Sequence, residues 1–588
     1  MNADTFDVEY ALGKTGLADF SSDGSQLYIM SILPTSDYEI TVFDDQFEKA
    51  STYYAACSLE LDSQAEFKAL SDDSFVLPAP TGACHALSPQ PLSGTVVCDY
   101  NGDQHGDLAV GIPGEDSPTK FDSGALEMFY GEGTSDGLAI GTAELWTQDS
   151  SGFQGVLEPG DKFGSATGCA DFNADGFTDL LISAEGEDVG AVADAGALHV
   201  LRGSGSGITG AGDRYLTQDS VGVLGVAEAG DRFGASIAPG DFDGDGHVDL
   251  AVGAPGEDLG TFADAGGVHV FRGTATGITV SGDSIITQNT ADVADTAEMG
   301  DEFGTELVTG DFDGDGFADL AIGISNEDVG TVLDTGAVHL FYGSAAGLDP
   351  LTDVVVTGTD VGTSETGDLM GSELVAADFN DDGFTDLAVG VPGKMVLGLD
   401  NAGSVVVLFG SASGLVTSGS LTLSQATPGI SGAPEAGDGF GGGLAAADFD
   451  DDGANNLAIG VPGEDYTVFS TYTDGGLVHI LSGDPSSWET APEEATAKLT
   501  DFGMGSFGAM FGLTMVAGEF NGDGFAELAT GAPNGSSGQG LLVMIPGSAE
   551  GPAFANAQSW DQDSVLVPGK GENDDFFGQL SNSSKVDL

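Results

Sequence analysis

The sequence predicts an all-β fold: a seven-bladed β-propeller of four-stranded blades behind a small N-terminal β-rich segment, with an eight-bladed ring as the alternative. Three observations predict it. An acidic loop of the form D-x-[DN]-x-D-G-x-x-D recurs seven times, beginning at Asp99, Asp171, Asp241, Asp311, Asp378, Asp448 and Glu519, at spacings of 72, 70, 70, 67, 70 and 71 residues. Each loop runs into a short apolar strand, as in DFDGDGHVDLAVG from Asp241. Four strand-like stretches fit one period, and short, evenly spaced strands with a glycine and aromatic signature mark a propeller blade.

The strands follow in order. The first opens on Phe-Gly, at Phe163-Gly164, Phe233-Gly234, Phe303-Gly304, Phe440-Gly441 and Phe511-Gly512, with Met370-Gly371 in the fifth copy. The second follows the acidic loop and stops at Gly-x-Pro, as in Gly253-Ala254-Pro255. The third alternates, as in GVHVFRG and AVHLFYG, and ends at a glycine turn. The fourth is marked by a glutamine: Gln148, Gln218, Gln288, Gln425 and Gln562. Residues 1–85 lack the full pattern and read as an N-terminal β-rich segment or degenerate blade; residues 86–588 carry the repeats.

The loops name a metal. Calcium takes six to eight oxygen ligands at about 2.3–2.6 Å. A nine-residue loop supplies them from side chains at positions 1, 3, 5 and 9 and the backbone carbonyl at position 7. The candidate ligands are Asp99, Asn101, Asp103, His105 and Asp107 in loop one, and Asp171, Asn173, Asp175, Phe177 and Asp179 in loop two. Loop three offers Asp241, Asp243, Asp245, His247 and Asp249; loop four Asp311, Asp313, Asp315, Phe317 and Asp319. Loop five offers Asp378, Asn380, Asp382, Phe384 and Asp386; loop six Asp448, Asp450, Asp452, Ala454 and Asn456; loop seven Glu519, Asn521, Asp523, Phe525 and Glu527. No thiolate or ring nitrogen stands in a ligand position, which argues against zinc and copper. An EF-hand would need a glutamate at position 12 followed by a helix, where this chain has Ile182, Val252 or Ile322 inside strands. Asp, Asn and Gly are also ordinary turn formers, but a shared donor register in seven copies favours up to seven calcium ions, one per blade. Loops three and four, with four carboxylates each, are expected to bind tightest. Loop one, with Gln104 in place of glycine, loop six, ending in Asn456, and loop seven, using two glutamates, are expected to bind weakest.

The Phe-Gly opening, the acidic loop and the Gly-Ala-Pro ending, recurring in that order, resemble FG-GAP repeats, the unit of the integrin alpha-subunit propeller. The resemblance covers about residue 86 to the C-terminus. It implies seven repeats closing into seven blades, with calcium on the face carrying the loops between strands one and two. Repeat one departs, with Pro91-Leu92 in place of Phe-Gly, and an additional Phe577-Gly578 follows the last glutamine-marked strand. That pair either covers the ring junction or opens a further repeat.

Thirteen basic against 95 acidic residues exclude a nucleic-acid backbone as partner. No apolar run is long enough for a membrane span, and MNADTFDVEY carries no signal-peptide pattern. Extracellular calcium modules bind at about 10⁻⁴–10⁻³ M, so the loops point to an extracellular or cell-surface location. Of the four cysteines, Cys57 and Cys84 could pair, while Cys98 and Cys169 read as buried packing residues.

The loops after strands two and four carry repeated acids, such as Glu187, Asp188 and Asp194, or Glu228 and Asp231. They are expected either to cap turns or to form a rim for a cationic or metal-bridged partner. Lys394, Tyr466, Phe469 and Tyr472 break the uniformity there and are the candidate partner-binding residues. His199, His269, His339 and His479 recur in register and read as structural, and no nucleophile elbow, phosphate loop or zinc motif occurs. The reading is a non-enzymatic calcium-binding adhesion or protein-binding module. The alternatives are a lectin-like or polysaccharide-acting propeller and a structural surface or filament component; the ligand, protein or glycan, is not named.

Overall fold

The computed structural model describes most of residues 98–564, isolated residues from there to Leu580 and, by backbone alone, the strands between Gly16 and Val76. The chain divides into two compact units, Met1–Gly94 and Thr95–Leu588. The first contains an antiparallel meander of four strands, Gly16–Phe20, Leu27–Ile32, Tyr38–Phe43 and Lys49–Ala55, in sequence order.

The second unit is a β-propeller of seven consecutive antiparallel meanders. Blade two shows the plan: Phe163–Ala170, Asp179–Ala184, Ala197–Leu201 and Arg214–Leu216, each paired with the next. Blades three to seven repeat it, and the second strand of each is buried along its whole length, as in Asp249–Ala254. Such strands read as unbroken Leu-Ala-Val-Gly runs because a neighbouring blade covers each face. Among the described residues blade one has three strands, Leu108–Ile112, Ala125–Phe129 and Glu144–Trp146. Its inner edge is the bridge between Cys98 and Asp107, in the register that Ala170 and Asp179 hold in blade two. The ring therefore has seven blades, and the alternative of eight gives way, the N-terminal meander falling in the other compact unit.

The Phe-Gly signature joins blades. Gly266, opening strand three of blade three, bridges in parallel to Phe303 of the next repeat. A Cβ on Gly266 would stand 2.3 Å from the Phe303 nitrogen, so only glycine permits the approach. The same bridge joins Gly124 to Phe163, Gly336 to Met370, Gly403 to Phe440, Gly476 to Phe511 and Gly540 to Phe577. Phe577 is thus the ring junction rather than the start of a further repeat. It is buried in one apolar cluster with Leu108, Ile112 and Ala125 of blade one, making the contact for which Pro91-Leu92 lacks the residues.

Cys98 and Cys169, expected as separate packing residues, are joined in a disulfide with S–S 1.99 Å. Register is the reason. Their separation of 71 residues is one repeat, which lays them at the ends of neighbouring inner strands with Cα atoms 5.9 Å apart. Cys57 and Cys84 lie outside the described residues.

Candidate metal centres

Each acidic loop is held by its own first carboxylate. In loop three, Asp241 Oδ1 accepts the N–H of Asp245 at 3.1 Å and Oδ2 that of Gly246 at 2.8 Å, while Asp245 Oδ1 accepts the N–H of His247 at 3.0 Å. Position 6 has a left-handed backbone, φ +85 at Gly246. Loop one places Gln104 there at φ +71, at a cost of roughly 1 kcal/mol.

The ninth residue has a second role that spacing alone did not reveal. Asp319 is buried and accepts two backbone N–H groups, from Phe312 at 2.8 Å and from Gly343 at 2.7 Å, tying the loop to the turn after strand three. Asp107, Asp249 and Asp386 do the same. In loop six Asn456 keeps the bond from its loop, Phe449 N–H to Oδ1 at 2.9 Å. A carboxylate oxygen has a further lone pair, so such a residue can anchor the turn and still face an ion.

Oxygen atoms of three acids lie within 4.8 Å of one another in loop three (Asp241, Asp243, Asp249), loop four (Asp311, Asp313, Asp315), loop six (Asp448, Asp450, Asp452) and loop seven (Glu519, Asp523, Glu527). Loops six and seven, expected among the weakest, therefore gather acids as loops three and four do. Position 5 stands in for Asn456, and the longer glutamates reach the same point. In loop three Arg272 pairs with Asp243, an internal cation that an ion would have to displace. Asn380 Oδ1 in loop five and Asp450 Oδ1 in loop six are buried without a hydrogen-bond partner. An all-oxygen donor set with bare buried acceptors fits a hard divalent cation.

The loops are also joined to one another. The N–H at position 8 donates to the position 1 carbonyl of the preceding loop: Thr178 to Asp99 (3.1 Å), Ala318 to Asp241 (3.0 Å), Thr385 to Asp311 (3.0 Å), Asn455 to Asp378 (3.3 Å) and Ala526 to Asp448 (3.3 Å). Gly106 N–H to Glu519 carbonyl, at 3.1 Å, carries the series from blade one back to blade seven. The side chain at position 7 covers position 4 of the preceding loop, and a Cβ on Gly102 would meet the Phe177 ring at 2.6 Å. Order imposed on one loop is therefore imposed on its neighbours.

The acids of the opposite face divide: Asp194 and Glu228 are exposed, whereas Glu187 and Asp231 are buried. The strand-four glutamine of each marked blade donates to the glutamate after strand two of the next: Gln148 to Glu187 (2.5 Å), Gln218 to Glu257 (2.6 Å), Gln288 to Glu327 (2.6 Å), Gln425 to Glu464 (2.6 Å) and Gln562 to Glu115 (2.7 Å). Sequence reasoning missed these fasteners, although a constant interval of 39 residues within four of the pairs was the available signal. Asp161, Asp231, Asp301 and Asp438, two residues before each Phe-Gly, are buried beside them and accept backbone N–H bonds.

The irregular residues are likewise engaged within the fold. Lys394 Nζ donates to the Thr363 carbonyl at 2.7 Å and lies 2.9 Å from Asp368 Oδ2. Tyr466 is buried against Tyr472 across a short hairpin, with Lys498 over its ring. Phe469 lies outside the described residues. Each recurrent histidine pairs through Nδ1 with a strand-four acid: His199 with Asp213, His269 with Asp283, His339 with Asp353 and His479 with Glu494.

The FG-GAP repeat model matches residues 163–201, 233–271, 303–341, 370–408 and 511–543. This chain carries FG-GAP repeats on a seven-bladed propeller. Its relatives include phosphatidylinositol-glycan-specific phospholipase D of Rattus norvegicus, 32% identical over 29% of this chain and 18% of that protein. They also include integrin alpha-PS5 of Drosophila melanogaster, 35% identical over 28% of this chain and 15% of that protein. The chain thus spans under a fifth of either relative's length. Among solved structures, the BP39L lectin of Burkholderia pseudomallei matches at TM-score 0.38 and 15% identity, over 76% of this chain and 96% of that one; a likeness at that level carries no argument.

Without a cation, burial pushes the carboxyls of Asp179, Asp249 and Asp386 up to about 7 and those of Asp319 and Glu527 to about 8. These values lie above those of an unfolded chain, near 4, so the folded state holds these protons more tightly. Metal-free protein should therefore be most stable below about pH 4 and lose stability as pH rises toward 8, with calcium flattening or reversing the trend. Thermal melts against pH, with and without chelator, check the sign. Asp245→Ala should lower the melting temperature mainly in calcium, because the one N–H it releases, that of His247, is exposed to water. Asp249→Ala, which also strands the N–H groups of Phe242 and Gly273, should cost about 2 kcal/mol or more in both conditions.

Proposed function

We propose that this chain is a calcium-stabilised, non-catalytic binding module of the adhesion class that works outside the cytosol. The observation that carries the reading is the series of hydrogen bonds that links the seven oxygen-rich loops, from loop three through loop seven to loops one and two. A cation in one loop would stiffen its neighbours, so calcium acts as mortar for the ring and performs no chemistry. The cysteine pair supports an oxidising compartment. The integrin relative supports an adhesion role. Similarity to the phospholipase is restricted to 18% of that protein. The buried histidines are committed to pairs repeated around the ring, and none is singled out beside a nucleophile. No helix among the described residues is long and apolar enough to cross a membrane.

The docking face that fits best is the one opposite the metal loops. Its connections expose apolar tips, Phe121, Val221, Met299 and Leu397, each more than two-thirds accessible. On a chain of formal net charge −82, they favour a partner that joins apolar contacts to positive charge. Intact protein immobilised in calcium should retain such a partner from extracellular extracts and release it on chelation, and calorimetry should show calcium uptake. Retention indifferent to chelator, or no uptake, would contradict the reading.

A further inference from the structure

At five of the seven blade junctions, the face opposite the metal loops carries the glutamine and glutamate fastener, and at the other two both residues are missing together. Where blade five follows blade four, Gly358 and Lys394 stand in their places, and the Lys394 ammonium sits on Asp368. There the chain supplies its own cation. The centre of strand three varies in step. Blades entered through a fastener have a histidine opposite strand two, as in His199 opposite Ile182, whereas blades five and seven have Val406 and Val543.

The seam between blades seven and one is the exception. It has the fastener, Gln562 to Glu115, but Glu127 takes the histidine's place, opposite Val110. Glu127 is fully buried, and neither of its carboxylate oxygens has a hydrogen-bond partner. The Gln562 carbonyl oxygen is buried and unpartnered as well. Asp575, also buried, precedes Phe577 by two residues as Asp161 precedes Phe163. In the absence of any cation, burial and the neighbouring Glu115 drive the Glu127 carboxyl up to about 8.

We propose that this seam is a further divalent-cation site, distinct from the acidic loops, in which Glu115, Glu127 and the Gln562 side-chain oxygen bind calcium beside Asp575. The ion would take the position toward which Lys394 brings its ammonium in blade five. It would join blade one to blade seven and to the C-terminal segment at the point where the ring closes. Calcium is preferred because every donor is oxygen and two or more are carboxylates.

The test is a count of bound calcium by equilibrium dialysis on the full chain with its disulfide intact. Glu127→Gln, which keeps the shape and removes the charge, should bind one ion fewer than the parent. Its melting temperature should fall in calcium and hold or rise in chelator, where a buried uncompensated carboxylate has been removed. Glu115→Lys, patterned on Lys394, should also lose one ion, and it serves if the first variant fails to fold. Asp315→Ala in loop four should lose its own ion independently, so that the double variant Asp315→Ala, Glu127→Gln loses two. A calcium-binding parent whose count is unchanged by Glu127→Gln or Glu115→Lys overturns the seam site and leaves the loops standing. A parent that binds none removes both.

Discussion

The structure depends on a single repeated bond, the position 8 amide of one acidic loop donating to the position 1 carbonyl of the loop before it. Each such bond is worth only about 1 kcal/mol net. Its importance is geometric. Position 1 is also the residue whose carboxylate folds its own loop, so the same residue shapes one blade and positions the next. The cluster of acids in each loop works against that arrangement, a repulsion that a bound cation would relieve, and the large net negative charge of the chain adds to it.

A closed ring removes the exposed strand edges that an open stack of sheets would present. Closure here falls to several contacts of different kinds. The Gly106 to Glu519 bond closes the metal face, the Gln562 to Glu115 bond closes the opposite face, and the Gly540 to Phe577 bridge closes the core between them. The disulfide adds a covalent tie from blade one to blade two. Blade one thus has its reinforcements on both sides, as expected of the blade whose Phe-Gly comes from the far end of the chain.

The architecture was legible in the sequence because the repeat is strict: loop, strand and glycine signals recur near 70 residues, and seven periods fill the second unit. Local chemistry was legible to the same degree, since Asp241, Asp243 and Asp249 converge as their spacing requires. What escaped was everything that crosses from one blade to the next. Gln288 and Glu327 each looked like a marker of its own strand or loop, and their bond shows only when the interval of 39 residues is measured across the junction. Cys98 and Cys169 hid for the same reason, their contact being set by the packing of neighbouring blades. Lys394 and Tyr466 stood out correctly as irregular, but irregularity was compensated inside the fold, by Asp368 in one case and by Tyr472 and Lys498 in the other.

Amide hydrogen exchange at the position 8 residues tests the central claim most directly. Thr178, Ala318, Thr385 and Ala526 donate from four different blades to four different loops. If the linked loops form one cooperative series tightened by calcium, these amides should exchange slowly together in calcium and lose protection together on chelation. Protection that is unaffected by chelator, or that disappears blade by blade at unrelated calcium concentrations, would contradict the account.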